Sequence, residues 1–308
     1  MALTYTQLDV HARKHYLPNL INNVFVGNPF LVKILANNQI TVKGGLSVVQ
    51  PILYGKHKGG SYAGLDRFDI NPVDTRTLAS WDWKNRYVNI TMVGDDIDKC
   101  NDDSDLLDLL QSEVQGAELT IKDNLSEDLF SDGTGNNSKD FNGLDDGIGS
   151  GTYGGISPTD ISTWTSTVDA TGGAITIARV KGWMGECTYG TEIPDLILTT
   201  QALYDALWAQ VQPNQRTLME NTILAKLGFT GIQIDSAQVL VDRHCPSGYM
   251  YGMNTKYWHM FIHPNKNFKW TSDKEMIDAD GYVRQILLKG NFINTCRRFN
   301  FKAYSLTA

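Results

Sequence analysis

The sequence predicts an α+β protein of one large or two ordinary domains. Three observations carry that prediction. A one-sided apolar stripe at helical spacing runs through residues 104–130. β-rich runs lie on both sides of it, at residues 40–93 and 276–304. Between these, residues 174–264 alternate helix-patterned and strand-patterned segments. The 308 residues are 42% hydrophobic and 20% charged, enough apolar material for a substantial core.

In chain order, residues 1–39 read as an arm. Leu17, Leu20, Ile21, Val24 and Phe25 recur at helical spacing, Asn28-Pro29 interrupts them, and Phe30, Leu31, Ile34 and Leu35 resume the pattern. Neither piece is long enough to hold a helix alone. Residues 40–93 read as an extended β-hairpin excursion. Stretches 40–42, 46–54, 81–83 and 87–93 are β-rich, and residues 55–64 form a flexible, basic tip. A lone hairpin is marginal in water, so it needs a neighbouring subunit or its own domain to lie on.

The helix at 104–130 places Leu107, Leu110, Val114, Ala117, Ile121, Leu125 and Leu129 on one face. Asp103 or Ser104 can cap it, Asp105 and Asp108 sit near the positive end of its dipole, and Gly133 can stop it. At about 1.5 Å per residue it is a rod of roughly 40 Å, and its single apolar face requires a sheet or another helix beneath it. A Gly/Ser/Thr/Asn-rich connection follows over 133–173, with Gly133, Gly135, Phe141, Gly143 and Leu144 as fold anchors. Helices at 175–189, 201–211 and 217–226, with strands at 195–200, 230–242 and 249–262, predict an α/β unit. The tail returns to β at 276–289, after an Asp280-Gly281 turn signal, and at 290–304, supplying the sheet that the long helix needs.

Charge is divided unevenly. Residues 1–94 carry a net +5, residues 95–146 a net −13 and residues 147–308 a net +1, within an overall −7. The acidic stretch reads either as a solvated helix face or as a surface for a basic segment of another copy. For the second reading the contact residues are Lys43, Lys56, Lys58, Arg67 and Arg86 against Asp105, Asp108, Glu113 and Glu118. The acidity argues against tight nucleic-acid binding. The longest apolar runs are too short to span a bilayer, and the first residues lack a signal-peptide pattern, so synthesis in the cytoplasm is expected.

Motifs for chemistry are weak. The cysteines at 100, 187, 245 and 296 form no CxxC pair and read as buried apolar residues. Residues 149–154 fit GxGxxG, but they follow a loop and lead into Ser157-Pro158, not from a strand into a helix. His259 and His263 fall in a strand-like run, where they would lie too far apart to share an ion. Asp278-Ala-Asp-Gly281 lacks the later ligands of a calcium loop and reads as a hairpin turn. Asp95, Asp96, Asp98, Asp102 and Asp103 read as a solvated helix entrance in preference to a divalent-ion site. No catalytic, cofactor or metal residue is assigned.

Three phrases recur in a recognisable order: Asp132-Gly-Thr-Gly135 leading to Phe141-Asn-Gly-Leu144; Pro194-Asp-Leu-Ile-Leu-Thr-Thr-Gln-Ala-Leu203; and Met253-Asn-Thr-Lys-Tyr257. With the order of parts, they make the chain resemble the major capsid proteins of tailed bacteriophages, whose fold is named after phage HK97. The resemblance covers most of the chain. It implies an N-terminal arm (1–39), an E-loop lying over the adjacent subunit (40–93), a peripheral domain (94–164 and 265–308) with spine helix 104–130, and an axial domain (165–264). It implies self-assembly through hexamers and pentamers into an icosahedral shell around phage DNA, touched only by weak non-specific contact. A separate scaffolding protein, a portal and decoration proteins are the implied partners, with no membrane. The location implied is the virion, assembled in the bacterial host cytoplasm. Lys56 and Lys58 read as ordinary basic contacts, not cross-linking sites. An encapsulin-like compartment is the alternative within the fold, and a cytosolic enzyme with a site in 165–264 is the alternative outside it.

Overall fold

The computed structural model describes residues 28–37, 39–95, 103–211 and 232–308, with side chains of the long helix from residue 110 onward. Four helices of eight or more residues are described: α1 (Pro29–Ala36), α2 (Asp103–Asp128), α3 (Ile177–Cys187) and α4 (Gln201–Val211). The strands are β1 (Ile40–Val42), β2 (Val48–Leu53), β3 (Arg76–Trp81), β4 (Lys84–Val93), β5 (Thr167–Asp169), β6 (Gly173–Ala174), β7 (Leu196–Thr199) and β8 (Ile232–Ile234). They continue as β9 (Ala237–Val241), β10 (Met250–Met253), β11 (Trp258–Ile262), β12 (Lys269–Trp270), β13 (Lys274–Glu275), β14 (Gly281–Asn294), β15 (Phe301–Ala303) and β16 (Leu306–Thr307).

The first sheet is organised around β14. Strands β11, β12 and β13 pair along it, β4 pairs antiparallel from Lys84 opposite Gly290 to Val93 opposite Gly281, and β1 adds in parallel to β11. Strict alternation in β4 sends Val88, Ile90 and Met92 to one face. That face, with Ile286 and Leu288 of β14, receives the α2 stripe of Leu110, Val114, Ala117, Ile121 and Leu125, all buried. The helix therefore found the sheet that its one-sided pattern required. Helix α1 adds Phe30, Leu31 and Ile34 to the same core. Its start is fixed locally, with Pro29 in the first turn and the Asn28 side chain accepting from the Phe30 N–H at 2.9 Å.

The second sheet runs β5-β15-β10-β7-β9-β8. Its β7 run Leu-Ile-Leu-Thr is buried throughout because both faces are covered. Ile197, Val239, Met250 and Phe301 meet Val180, Trp183 and Met184 of α3 and Leu203 and Leu207 of α4. Leu196, Leu198, Leu240, Tyr251 and Met253 join the core of the first sheet.

Three pairings differ from the sequence reading. Strand β11, expected in the 165–264 unit, belongs to the first sheet. Strand β15, expected to complete that sheet, crosses to the second, and β16 pairs with β6. The cause is that β14 runs unbroken through Gly290, and the chain is then redirected by the short 3-10 turn Arg297–Phe299. Within 40–93, the hairpin proper is β2 with β3, while β1 and β4 are strands of the first sheet. The helix expected at 217–226 and the apolar pattern at 17–25 lie outside the described residues.

Candidate assembly surfaces

The glycine-rich loop after α2 is a folded joint. Leu144 N–H donates to the Leu129 carbonyl at 2.6 Å and Gly143 N–H to Ser131 at 3.0 Å, turning the chain back onto the helix end. Phe141 and Leu144 are fully buried in the first core. Gly133 has a φ of +76°, which L side chains rarely adopt. At Gly143 an added Cβ would meet the Asp128 and Leu129 carbonyls. A Cβ on Gly135 would meet the Asp140 carboxylate. Asn291 of β14 holds the loop from below: its carbonyl oxygen accepts from Asn142 N–H at 2.9 Å, and its amide donates to Asn142 Oδ1 at 2.8 Å and to Asp82 O at 3.0 Å.

A second joint is built on Arg297, whose guanidinium is buried. It donates to the carbonyls of Gly151 at 2.6 Å and Gly147 at 3.2 Å, with longer contacts to Trp164 and Asp146, and stacks 5.0 Å over Tyr153. Burial holds its pKa below the usual arginine range. Asn294 donates to Gly147 O at 3.2 Å, and Asn300 accepts from Asn254 N–H and the Trp258 indole, each at 3.1 Å. Sequence reasoning missed these buried polar residues. The available signal was a run of amides and arginines embedded in the aromatic, strand-like stretch 290–304.

These joints support the hairpin. Its base packs on its own chain: Val48, Ile52, Ala79 and Trp81 are buried against Tyr153, Ile156, Trp164, Phe261 and Ile293. Beyond the base, residues 54–75 contain no strand and are nearly all exposed. Leu65 is 102% and Ile70 89% exposed, and Tyr62 and Phe68 are about two-thirds exposed, so the tip makes no core of its own. This is an apolar surface left open in the single chain.

The predicted charged contacts are placed as follows. Lys56 and Arg67 are exposed on the tip. Lys58 pairs with Asp69 within the tip. Lys43 donates to Val49 O at 2.8 Å and lies over the Phe261 ring. Arg86 sits on the helix-facing side of β4 and forms a two-pronged pair with Asp128 of α2 in the same chain, 3.2 Å from Asp140 as well. Burial pushes the Asp128 carboxyl above its usual range even though Arg86 pulls it down. A basic residue of 1–94 thus does meet the acidic stretch, but within one copy. Glu113 and Glu118 lie half-buried on α2, and the side chains of Asp105 and Asp108 lie outside the described residues.

Burial pushes the Cys187 thiol up to about 11 and the Cys245 thiol higher still, so neither holds a thiolate near neutrality. A 560 Å³ cleft between α2 and the turn after β9 includes Asp123, Asp242 and His244. There His244 lies 3.0 Å from Asp123, and Asp242 accepts from Asn28 at 2.7 Å. These polar groups are engaged in joining α1, α2 and the second sheet. Among the described residues, no three His, Cys, Asp or Glu side chains gather as a metal site, and no helix is long and apolar enough to cross a membrane.

No protein-family model and no curated protein sequence matches the chain. Solved structures do match its shape. It is similar to a chain of the cyanophage A-1(L) capsid at 16% identity and a TM-score of 0.69, over 89% of this chain and 92% of that one. It is similar to the capsid chain of a native GTA particle at 7% identity and a TM-score of 0.63, over 89% and 90% of the two chains. It is also similar to the SrpI encapsulin of Synechococcus elongatus PCC 7942 at 10% identity and a TM-score of 0.60, over 91% and 88%. The chain therefore has the HK97-type shell fold expected from the resemblance.

Proposed function

We propose that the protein is the major capsid protein of a tailed bacteriophage, a non-catalytic subunit that assembles with itself into the icosahedral head around DNA. The observation that carries this reading is the match to a phage capsid chain across nine-tenths of both lengths. The solvent-exposed apolar tip of the hairpin supports it, since such a surface is covered when copies meet. Residues 1–39 act as the arm, 40–93 as the excursion onto a neighbour, and the sheet-and-helix layer and the second sheet as the peripheral and axial parts of hexamers and pentamers. Lys43, Lys56 and Arg67 of one copy contact acidic residues such as Glu113 and Glu118 of the next. A separate scaffolding protein, a portal and decoration proteins belong to the same proposal, with assembly in the bacterial cytoplasm. The net charge of −7 supports only weak, non-specific contact with packaged DNA.

An encapsulin-like compartment shares the fold. The higher TM-score and identity to the cyanophage capsid favour the phage reading. Shells isolated from the producing cells separate the two. Nuclease-protected DNA in the particles supports the phage capsid, and particles filled with protein cargo and free of DNA contradict it.

A further inference from the structure

The face of the first sheet that points away from α2 carries rows of side chains whose chemistry the shell reading does not use. The register of β4, β14 and β12 sets Tyr87, Leu287 and Lys269 in one row across three strands. Asn89 and Gln285 fill the next row, with the Gln285 amide donating to Asn89 at 3.1 Å. Thr91, Val283 and Lys274 form the row beyond, and Asn85 and Lys289 the row before. Tyr87 is 63% exposed.

This face is basic on its own account. No outward position of β4 or β14 is an Asp or Glu. Lys266 joins Lys269, Lys274 and Lys289 from the turn before β12, and among the described residues none of the four is paired with a carboxylate. Glu275 shares the helix side with Tyr282, and Asp273 is held there by Arg284. The hairpin tip adds no net charge, since Lys56, Lys58 and Arg67 balance Asp66, Asp69 and Asp74 over residues 54–75. On the opposite side of the layer, α2 sets Glu113, Glu118, Asp123 and Glu127 against Lys122.

A 210 Å³ hollow on the basic face is bordered by Tyr87, Leu287, Asn85, Gln285 and Lys266. Arg86 also borders it, with its guanidinium already held by Asp128. An exposed ring beside an aliphatic side chain, amides and unpaired ammonium groups suits an unpaired nucleobase and its phosphate. The base has a flat face to stack, an edge to hydrogen-bond and an adjoining charge to neutralise. An acidic protein surface would use the lysines and leave the aromatic hollow empty, and a duplex offers phosphates without a free base face.

We propose that this sheet face binds single-stranded nucleic acid, with a base stacked on Tyr87 beside Leu287 and the backbone phosphates met by Lys266, Lys269 and Lys274. Such binding goes beyond the shell reading and does not depend on it. The overall charge of −7 keeps it weak and salt-sensitive.

The test is fluorescence anisotropy of a labelled oligothymidylate of about 12 nucleotides with full-length, unassembled subunits. The parent should bind it at low salt, and bind a duplex of the same length at least about fivefold more weakly. Tyr87→Ala should weaken binding roughly 5- to 100-fold, while Tyr87→Phe, which keeps the ring, retains it. Lys269→Ala combined with Lys274→Ala should reduce the slope of log affinity against log salt by about 1.4, at about 0.7 per phosphate contact. Lys122→Ala, on the helix side, should change neither quantity. Absence of binding, equal affinity for the duplex, full affinity in Tyr87→Ala, an unchanged salt slope in the lysine pair or a loss in Lys122→Ala overturns the assignment. Shell formation, read separately by electron microscopy, stands or falls independently of that result.

Discussion

Replacing Arg297 by alanine should be among the most damaging single changes in the chain. The guanidinium donates to the carbonyls of Gly147 and Gly151, and truncation leaves Gly147 O to Asn294 alone and Gly151 O, on an exposed residue, to solvent. Loss of the charged hydrogen bonds costs about 1.5–3 kcal/mol, and loss of packing over Tyr153 adds a cavity cost. Removal of a buried charge returns part of this, because burial already disfavours the protonated arginine. The net expected loss is about 2–4 kcal/mol, a large share of a typical folding free energy of roughly 5–15 kcal/mol. Urea unfolding of unassembled subunits, followed by tryptophan fluorescence, reads it directly, since Trp164 and Trp81 flank the joint. Arg297→Lys should recover little, because one ammonium cannot reproduce the fork that reaches separate carbonyls. An alanine variant within about 1 kcal/mol of the parent, or a lysine variant equal to it, would refute the claim that this guanidinium holds the joint.

Other outcomes follow from the same structure. Gly143→Ala places a Cβ against the Asp128 and Leu129 carbonyls, 2.7 Å from the Leu129 carbonyl carbon, and should cost about 3 kcal/mol in thermal or urea melts. Gly151→Ala, with open space around its Cβ, should change stability by under about 0.5 kcal/mol. Asp169 is held below its usual pKa of 3.8 by the Thr171 hydroxyl first, with Thr171 N–H, Arg179 and Trp183 adding to it. Because the folded value is depressed, its contribution is present above pH 3.8 and lost as pH falls below that. Asp169→Asn should therefore lower stability at pH 7 and flatten its acid dependence, and an unchanged pH profile would contradict this. Leu65→Asp combined with Phe68→Asp should leave unfolding within about 0.5 kcal/mol of the parent, both sites being exposed, yet abolish shells in electron micrographs.

Much of the fold was legible because its signals are local. The stripe from Leu107 to Leu129 specified α2 to within two residues, and the Leu-Ile-Leu-Thr run and the Gln201–Val211 pattern specified β7 and α4. Sheet membership was not legible. Nothing in the local pattern of 301–303 says that this strand crosses to the second sheet, since that depends on the turn at Arg297–Phe299 and on partners more than 40 residues away. Arg86 is an intermediate case. The period-two pattern of β4 puts it on the same side as Val88 and Ile90, where a cation needs a carboxylate partner, so its pairing with Asp128 could have been anticipated. Asn291, Asn294 and Arg297 are harder to read, because amides and arginines are usually surface residues and only their embedding in the aromatic stretch 290–304 hints at burial. The hairpin tip shows the reverse. Residues 55–64 read as flexible and basic, and the structure leaves Tyr62, Leu65, Phe68, Ile70 and Val73 exposed along 54–75.

The central claim, that this chain builds a closed shell from copies of itself, is tested most directly by cryo-electron microscopy of the purified full-length protein. The account predicts closed icosahedral particles or capsomer rings one subunit thick, with the 54–75 tip of each copy lying on a neighbour. A uniform population of monomers under all assembly conditions, or particles in which each tip folds back on its own chain, would contradict it.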